Sequence, residues 1–316
     1  MKKLISVVVP AYNEQDVLQK FYDRISLIFD ELQNFRCEMI FVNDGSTDRT
    51  PEIIAELIRQ SPRVALVDLS RNFGKEIAMT AGLDYASGDA VIVIDADLQD
   101  PPELIHQFIE EWQSGFDVVY ARRTHRDGET WLKKATASAF YRLMSKLSNV
   151  PIPQDTGDYR LMSRRAVDAL LKLREQHRFM KGLFAWVGFP SKAIDYRRDA
   201  RAAGVGKFNY WKLWNFAIEG ITSFTTAPLK IATYFGTFIA LFSFVFGAWI
   251  ILRTLLWGEQ VRGYPTLMVT ILFLGGIQLF CIGVLGEYLG RIFGETKGRP
   301  LYLVKNHMPA QIADHQ

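Results

Sequence analysis

Only two cysteines, Cys37 and Cys281, occur among the 316 residues, so neither a disulfide framework nor a thiolate zinc site is available. That usage fits a reducing compartment. The five histidines, His106, His125, His177, His307 and His315, have neither metal-ligand spacing nor a nearby nucleophile, and no chemistry is assigned to them. A strong charge of one sign is missing as well. The 37 basic and 34 acidic residues leave a formal charge of +3, which excludes a nucleic-acid binder and points to neutral or locally anionic partners. No signal peptide is expected, because the apolar run Leu4–Val9 is short and gives way to Pro10 and the polar Tyr12-Asn13-Glu14. It reads as a first buried strand.

Two stretches lack charge altogether, Ile231 to Leu252 and Gly263 to Gly286. At about 1.5 Å per residue, a helix of roughly 20 apolar residues crosses a hydrocarbon core of about 30 Å. A transmembrane hairpin is therefore expected over 228–290, with spans near 231–252 and 264–286. Lys207, Lys212 and Lys230 flank its entrance and Arg291, Lys297, Arg299 and Lys305 follow its exit, against Arg253 and Arg262 in the connection. Both ends are expected in the cytoplasm, in the inner membrane, leaving 291–316 as a cytoplasmic tail. Within the juxtamembrane region 201–227, Tyr210–Thr226 carries Trp211 and Trp214 beside a narrow polar stripe, the pattern of an interfacial helix. An amphipathic core helix is the alternative.

The first 200 residues read as an α/β domain. Strand-like runs at Ile5–Val9, Met39–Asn43, Val64–Leu69, Ala90–Ile94 and Asp117–Tyr120 alternate with helical segments at Glu14–Leu32, Arg49–Gln60, Lys75–Ala86 and Pro102–Trp112. Such alternation implies a mainly parallel sheet, Rossmann-like, with ligands beyond the carboxyl ends of the strands. Acidic clusters lie at those ends: Glu14 after the first strand, Asp44 and Asp48 after the second, and Asp95, Asp97 and Asp100 after the fourth. Asp48 also suits the cap of the following helix. Asp95, Asp97 and Gln99 alternate after one apolar strand, a spacing that lets them converge on one hard cation.

Pro10-Ala-Tyr12-Asn-Glu14, Asn43-Asp44-Gly45-Ser46, Arg71-Asn-Phe-Gly-Lys75-Glu76 and Asp95-Ala-Asp97-Leu-Gln99-Asp-Pro-Pro resemble, in order, the signatures of family 2 glycosyltransferases with the GT-A fold. The resemblance is to the polyprenyl-phosphate branch, which includes dolichyl-phosphate mannosyltransferase and bacterial bactoprenol glucosyltransferases. Thr156-Gly157-Asp158-Tyr159-Arg160-Leu161-Met162 and the two-span tail resemble the bactoprenol subgroup, so the likeness covers nearly the whole chain.

The resemblance implies that Pro10, Tyr12, Glu14 and Asp44 hold the nucleoside of a nucleotide-sugar donor. It places Asp95 on the ribose or the metal, and Asp97 and Gln99 nearest Mg2+ or Mn2+. It implies an inverting transfer of a hexose, most simply glucose from UDP-glucose to undecaprenyl phosphate, by a homo-oligomer, specifically a tetramer. Lys75 reads either as a phosphate contact or as a solvated surface lysine. Asp158 is the candidate at the reacting carbon, as a base for residual protonated phosphate or as a group that orients a sugar hydroxyl. Arg122, Arg123, Arg160, Arg201 and Lys207 are candidates for the acceptor phosphate. Relatives often carry Ser or Thr where this chain has Gly206, and the Gly204-Val-Gly206-Lys207 stretch lacks the spacing of a Walker loop. Two other readings compete. A nucleotidyltransferase also needs metal-binding aspartates but not a membrane hairpin, while a non-enzymatic scaffold for lipid-linked sugar transport gives no reason for acidic strand ends.

Overall fold

Continuous apolar runs make the first strands, because a parallel strand covered by helices on both faces has no side that must be polar. The computed structural model describes residues 2–124, 156–176, 178–196, 227–257 and 263–312. They form two compact units, Met1–Ala217 with Pro300–Gln316, and Ile218–Arg299.

In the first unit β1 (Leu4–Ala11), β2 (Arg36–Asn43), β3 (Val64–Leu69) and β4 (Ala90–Val93) are parallel and stand in the order β4-β1-β2-β3. β5 (Val118–Arg123) is joined to β4 through the antiparallel β6 (Thr156–Ser163), and β7 (Ser191–Tyr196) pairs parallel with β5. β8 (Val304–Met308) closes the other edge, antiparallel to β3. The result is a mixed, mostly parallel sheet of eight strands, the α/β class expected. The helices are α1 (Leu18–Glu31), α2 (Thr50–Gln60), α3 (Lys75–Tyr85), α4 (Leu104–Gln113), α5 (Arg164–Leu171) and α6 (Met180–Trp186). Their apolar residues, such as Phe21, Ile25, Ile54, Leu57, Ile105 and Phe108, meet Ile5, Val7, Phe41 and Ile92 of the sheet in one buried cluster.

Three expectations are corrected. α1 begins at Leu18 and not at Glu14, because Asn13 has a positive φ of 56° and residues 13–15 are tied to the loop after β2. β4 ends at Val93, so Asp95, Asp97 and Gln99 lie on a turn and not on an extended strand. The segment 291–316 is no simple tail. The last helix runs to Thr296, and β8 then adds to the sheet, where the Tyr302 hydroxyl donates to Asp84 at 2.7 Å.

The second unit contains α7 (Ala227–Trp257) and α8 (Tyr264–Thr296). Ile231–Trp249 and Phe273–Thr296 are long and apolar enough to cross a membrane, with mean hydropathies of 1.8 and 1.5. Large side chains such as Phe238, Phe244, Leu279 and Phe280 are exposed on them, an apolar surface that suits lipid rather than water. These helices fit association with a membrane. The interfacial helix expected over Tyr210–Thr226 lies outside the described residues.

Candidate active site

The site lies along the sheet edge where β1, β2, β4 and β5 end. β6 runs the opposite way, so its first residues, Thr156 to Asp158, reach the same edge. Tyr120 pairs with Arg160 but Arg122 with Thr156, so Gly157, Asp158 and Tyr159 bulge opposite Ala121 alone. Bulges of this type re-aim side chains beside functional sites. Gly157 leaves room for the Arg123 guanidinium, which a Cβ would meet at 2.9 Å and displace.

The loops after β1 and β2 are laced together. The Asn13 N–H donates to Ser46 Oγ at 3.0 Å, and the Thr47 N–H to Asn13 Oδ1 at 2.9 Å. The Glu14 N–H donates to Thr50 Oγ1 at 2.9 Å, while Asp48 Oδ1 accepts the Thr50 N–H at 3.0 Å. Pro10, next to last in β1, is half-buried, and Tyr12 just beyond the strand is exposed, an aromatic ring suited to stacking. Asp44 is buried, and its two oxygens accept the Phe73 and Gly74 N–H groups at 2.7 and 2.9 Å. Burial raises its pKa against those two hydrogen bonds. Asp44 thus shapes the loop that starts α3, and a carboxylate oxygen has a second lone pair for a ligand donor. Gly45 has a positive φ of 66°, and a Cβ there would strike the Arg71 and Asn72 backbone at 2.5 Å.

That loop delivers Lys75 to the center of the site. Its ammonium lies 2.7 Å from Asp95 and 2.6 Å from Asp158, so Lys75, with its side chain still 45% exposed, bridges two carboxylates. Desolvation opposes its charge, but the two carboxylates hold its pKa above the ordinary lysine range. Burial likewise opposes the charge on Asp158, and the Lys75 ammonium, aided by Lys181 and Arg160, outweighs it and holds the carboxyl at about 2. Asp158 Oδ1 is buried and has no hydrogen-bond partner among the described residues.

The turn after β4 places Leu98 at a positive φ of 57°, an uncommon conformation for a branched side chain and one that marks functional turns. Asp97 Oδ1 accepts the Gln99 N–H at 3.1 Å. The turn is held from behind. The Tyr196 hydroxyl donates to Asp100, accepts from Arg123 Nε at 3.1 Å, and the Tyr159 hydroxyl donates to the Pro101 carbonyl at 3.2 Å. Mg2+ takes oxygen ligands, keeps several waters, and is held through one or two carboxylates plus substrate phosphates. Asp95 and Asp97 supply that number, and the described residues contain no cluster of three His, Cys, Asp or Glu side chains able to enclose an ion. The donor set therefore fits a cation shared with a pyrophosphate.

The acceptor candidates divide. Arg123 stands at the site through Tyr196 and Asp100. Arg122, the next residue of the strand, instead pairs with Asp195 at 2.6 Å on the exposed surface. Arg160 is buried, with its guanidinium 3.6 Å from the Phe184 ring center and its NH2 group donating to the Gly157 carbonyl at 2.8 Å. It supports the β6 bulge from inside, and burial lowers its pKa to about 10. Arg201 and Lys207 lie outside the described residues. Sequence reasoning missed the functional setting of Glu76, Lys181 and Tyr196. Glu76 follows Lys75 in a recognised run, whereas Lys181 and Tyr196 have no local signal.

Paired acidic turns at the carboxyl edge of a parallel sheet, with cations facing them, define an α/β enzyme that handles an anionic nucleotide. Residues 6–171 match the model of glycosyl transferase family 2, and residues 227–292 match that of the GtrB C-terminal hairpin. The chain therefore belongs to glycosyl transferase family 2. It is 52% identical over 302 residues to the bactoprenol glucosyl transferase of Shigella phage SfV, covering 96% of this chain and 98% of that protein. A prophage bactoprenol glucosyl transferase homolog of Escherichia coli K12 is 51% identical, covering 95% and 98%. The uncharacterized glycosyltransferase YkcC of Bacillus subtilis is 47% identical, covering 95% and 93%.

Proposed function

We propose that the chain transfers glucose from UDP-glucose to a polyprenyl phosphate such as undecaprenyl phosphate, releasing UDP, at the cytoplasmic face of a membrane. The similarity to bactoprenol glucosyl transferases over nearly the full chain, hairpin included, carries this reading. A phosphate oxygen of the acceptor attacks the anomeric carbon as the bond to UDP breaks, and this direct displacement inverts the center. The acceptor needs little help from a base, since the second pKa of a phosphate monoester is about 6. Asp158, held at about 2, is a poor base in any case. Its role is to hold Lys75 with one oxygen and to orient a sugar hydroxyl with Oδ1, the buried oxygen without a partner.

Tyr12, Glu14 and Asp44 bind the nucleoside, with Pro10 shaping the loop. Asp95, Asp97 and Gln99 would hold Mg2+ or Mn2+, which when bound supplies positive charge to the departing diphosphate. Lys75 stands between donor and acceptor and keeps its proton throughout. Arg201 and Lys207, in the juxtamembrane segment, meet the lipid phosphate and headgroups. The assembly is a homo-oligomer, measurable by sedimentation in detergent.

The test incubates the purified protein with undecaprenyl phosphate, Mg2+ or Mn2+, and a panel of nucleotide sugars, and weighs the lipid product. A gain of one hexose from UDP-glucose, abolished by chelator, is expected. Release of pyrophosphate in place of UDP identifies a nucleotidyltransferase, and the absence of any lipid-linked sugar overturns the reading.

A further inference from the structure

Four cations surround the start of β6, and three are satisfied. Lys75 spans Asp95 and Asp158, Arg123 meets Tyr196 and Asp100, and Arg160 stacks on Phe184 and donates to backbone carbonyls. Lys181 differs. It is half-buried, yet among the described residues its ammonium makes no hydrogen bond or ion pair. Its charge is felt by Asp158, and burial lowers its own pKa. Asp158 and Glu76 support its charge only from beyond ion-pair distance, and a partly desolvated ammonium with no direct partner is unfavorable until a ligand supplies one.

The placement of Lys181 is fixed from two sides. Glu76 Oε2 accepts the Met180 N–H at 3.1 Å, which ties the first turn of α6 to the first turn of α3. Phe184, three residues on and hence on the same helical face, carries the Arg160 guanidinium at 3.6 Å. The face of α6 that bears Lys181 is therefore the one packed on Gly157–Arg160. The sheet order adds a direction. Tyr12, Asp44 and Asp95 follow β1, β2 and β4, whereas Arg123 and Asp158, the two groups of β5 and β6 that feel the Lys181 charge, stand on the other side of β4.

We propose that Lys181 is an acceptor-binding residue, whose ammonium, together with the Arg123 guanidinium, takes the non-reacting oxygens of the lipid phosphate. This inference rests on the lipid-phosphate reading above. A phosphate monoester dianion supplies the direct hydrogen-bond partner that the Lys181 ammonium lacks, and a charge-assisted hydrogen bond to it leaves one oxygen for the anomeric carbon.

The experiment measures turnover at varied undecaprenyl phosphate and at varied UDP-glucose, with calorimetric UDP binding, for the unchanged chain and for Lys181→Met, Lys181→Gln and Lys181→Arg. Loss of one charge-assisted hydrogen bond predicts a rise of about tenfold or more in KM for undecaprenyl phosphate in the Met and Gln variants. UDP affinity should stay within about twofold, and Lys181→Arg should recover to within about threefold of the unchanged chain. An unchanged lipid-phosphate KM in either folded variant, or a rise confined to UDP-glucose, overturns the assignment. If the unchanged chain makes no lipid-linked product, the underlying reading fails and the inference falls with it.

Discussion

The ammonium of Lys75 touches Asp95 and Asp158 at 2.7 and 2.6 Å, so removing it leaves two carboxylates facing each other without their shared cation. Lys75→Met should keep the fold but lower turnover by about 100-fold or more, the scale of losing one preorganised charge at a reaction center. Steady-state rates, with circular dichroism as the folding control, check it. Glu76 offers a test by pH. Burial, then the neighboring Asp158 charge, push its carboxyl from near 4.5 up to about 7. The folded chain therefore binds a proton that the unfolded chain has released, so the stability linked to Glu76 is complete below about 4.5 and is lost as pH rises through about 7. Glu76→Gln should flatten the fall in thermal midpoint across that window, measured by scanning calorimetry against the unchanged chain. Asp95, Asp97, Gln99 and Asp158 were legible because short runs place them together. Lys181 and Tyr196 were not, because folding alone brings them to the site: Tyr196 meets Asp100 across 96 residues of sequence, and Met180, beside Lys181, meets Glu76 across 104.

Among the elements, the turn after β4 depends on strands that the sequence hides. Tyr159 of β6 and Tyr196 of β7 reach under it to Pro101 and Asp100, and this support holds Leu98 in its left-handed conformation. Tyr196→Phe should cost about 1–3 kcal/mol of stability, since it removes a hydroxyl that serves both a buried carboxylate and a guanidinium. Denaturant titration measures that loss, and metal-dependent nucleotide affinity should fall with it. The first five strands were visible as apolar runs because both of their faces are covered. β6 was visible only as a motif, since a strand that buries Arg160 and bulges at Asp158 departs from simple periodicity. β8, Val304–Met308, shows no apolar alternation because it is an edge strand with mostly exposed side chains. Its place is set by pairing with β3 and by Tyr302 on Asp84.

For the chain as a unit, the expected orientation has a direct test. A cysteine introduced at the exposed Ser114 should resist a membrane-impermeant thiol reagent in sealed vesicles of native orientation and react once they are opened. Labeling from outside reverses the assignment of sides. The return of the chain to its first unit has a further consequence, which concerns the order of synthesis. β7 ends at Tyr196 and β8 begins at Val304, with both apolar helices made between them. At about 5–20 residues per second, the ribosome needs roughly 5–20 s to cover that interval. Throughout it, β3 presents an unpaired edge, the kind of surface that recruits foreign strands. The catalytic sheet is thus finished only after the hairpin has been made, and a molecule stalled before that point is left with an open sheet edge.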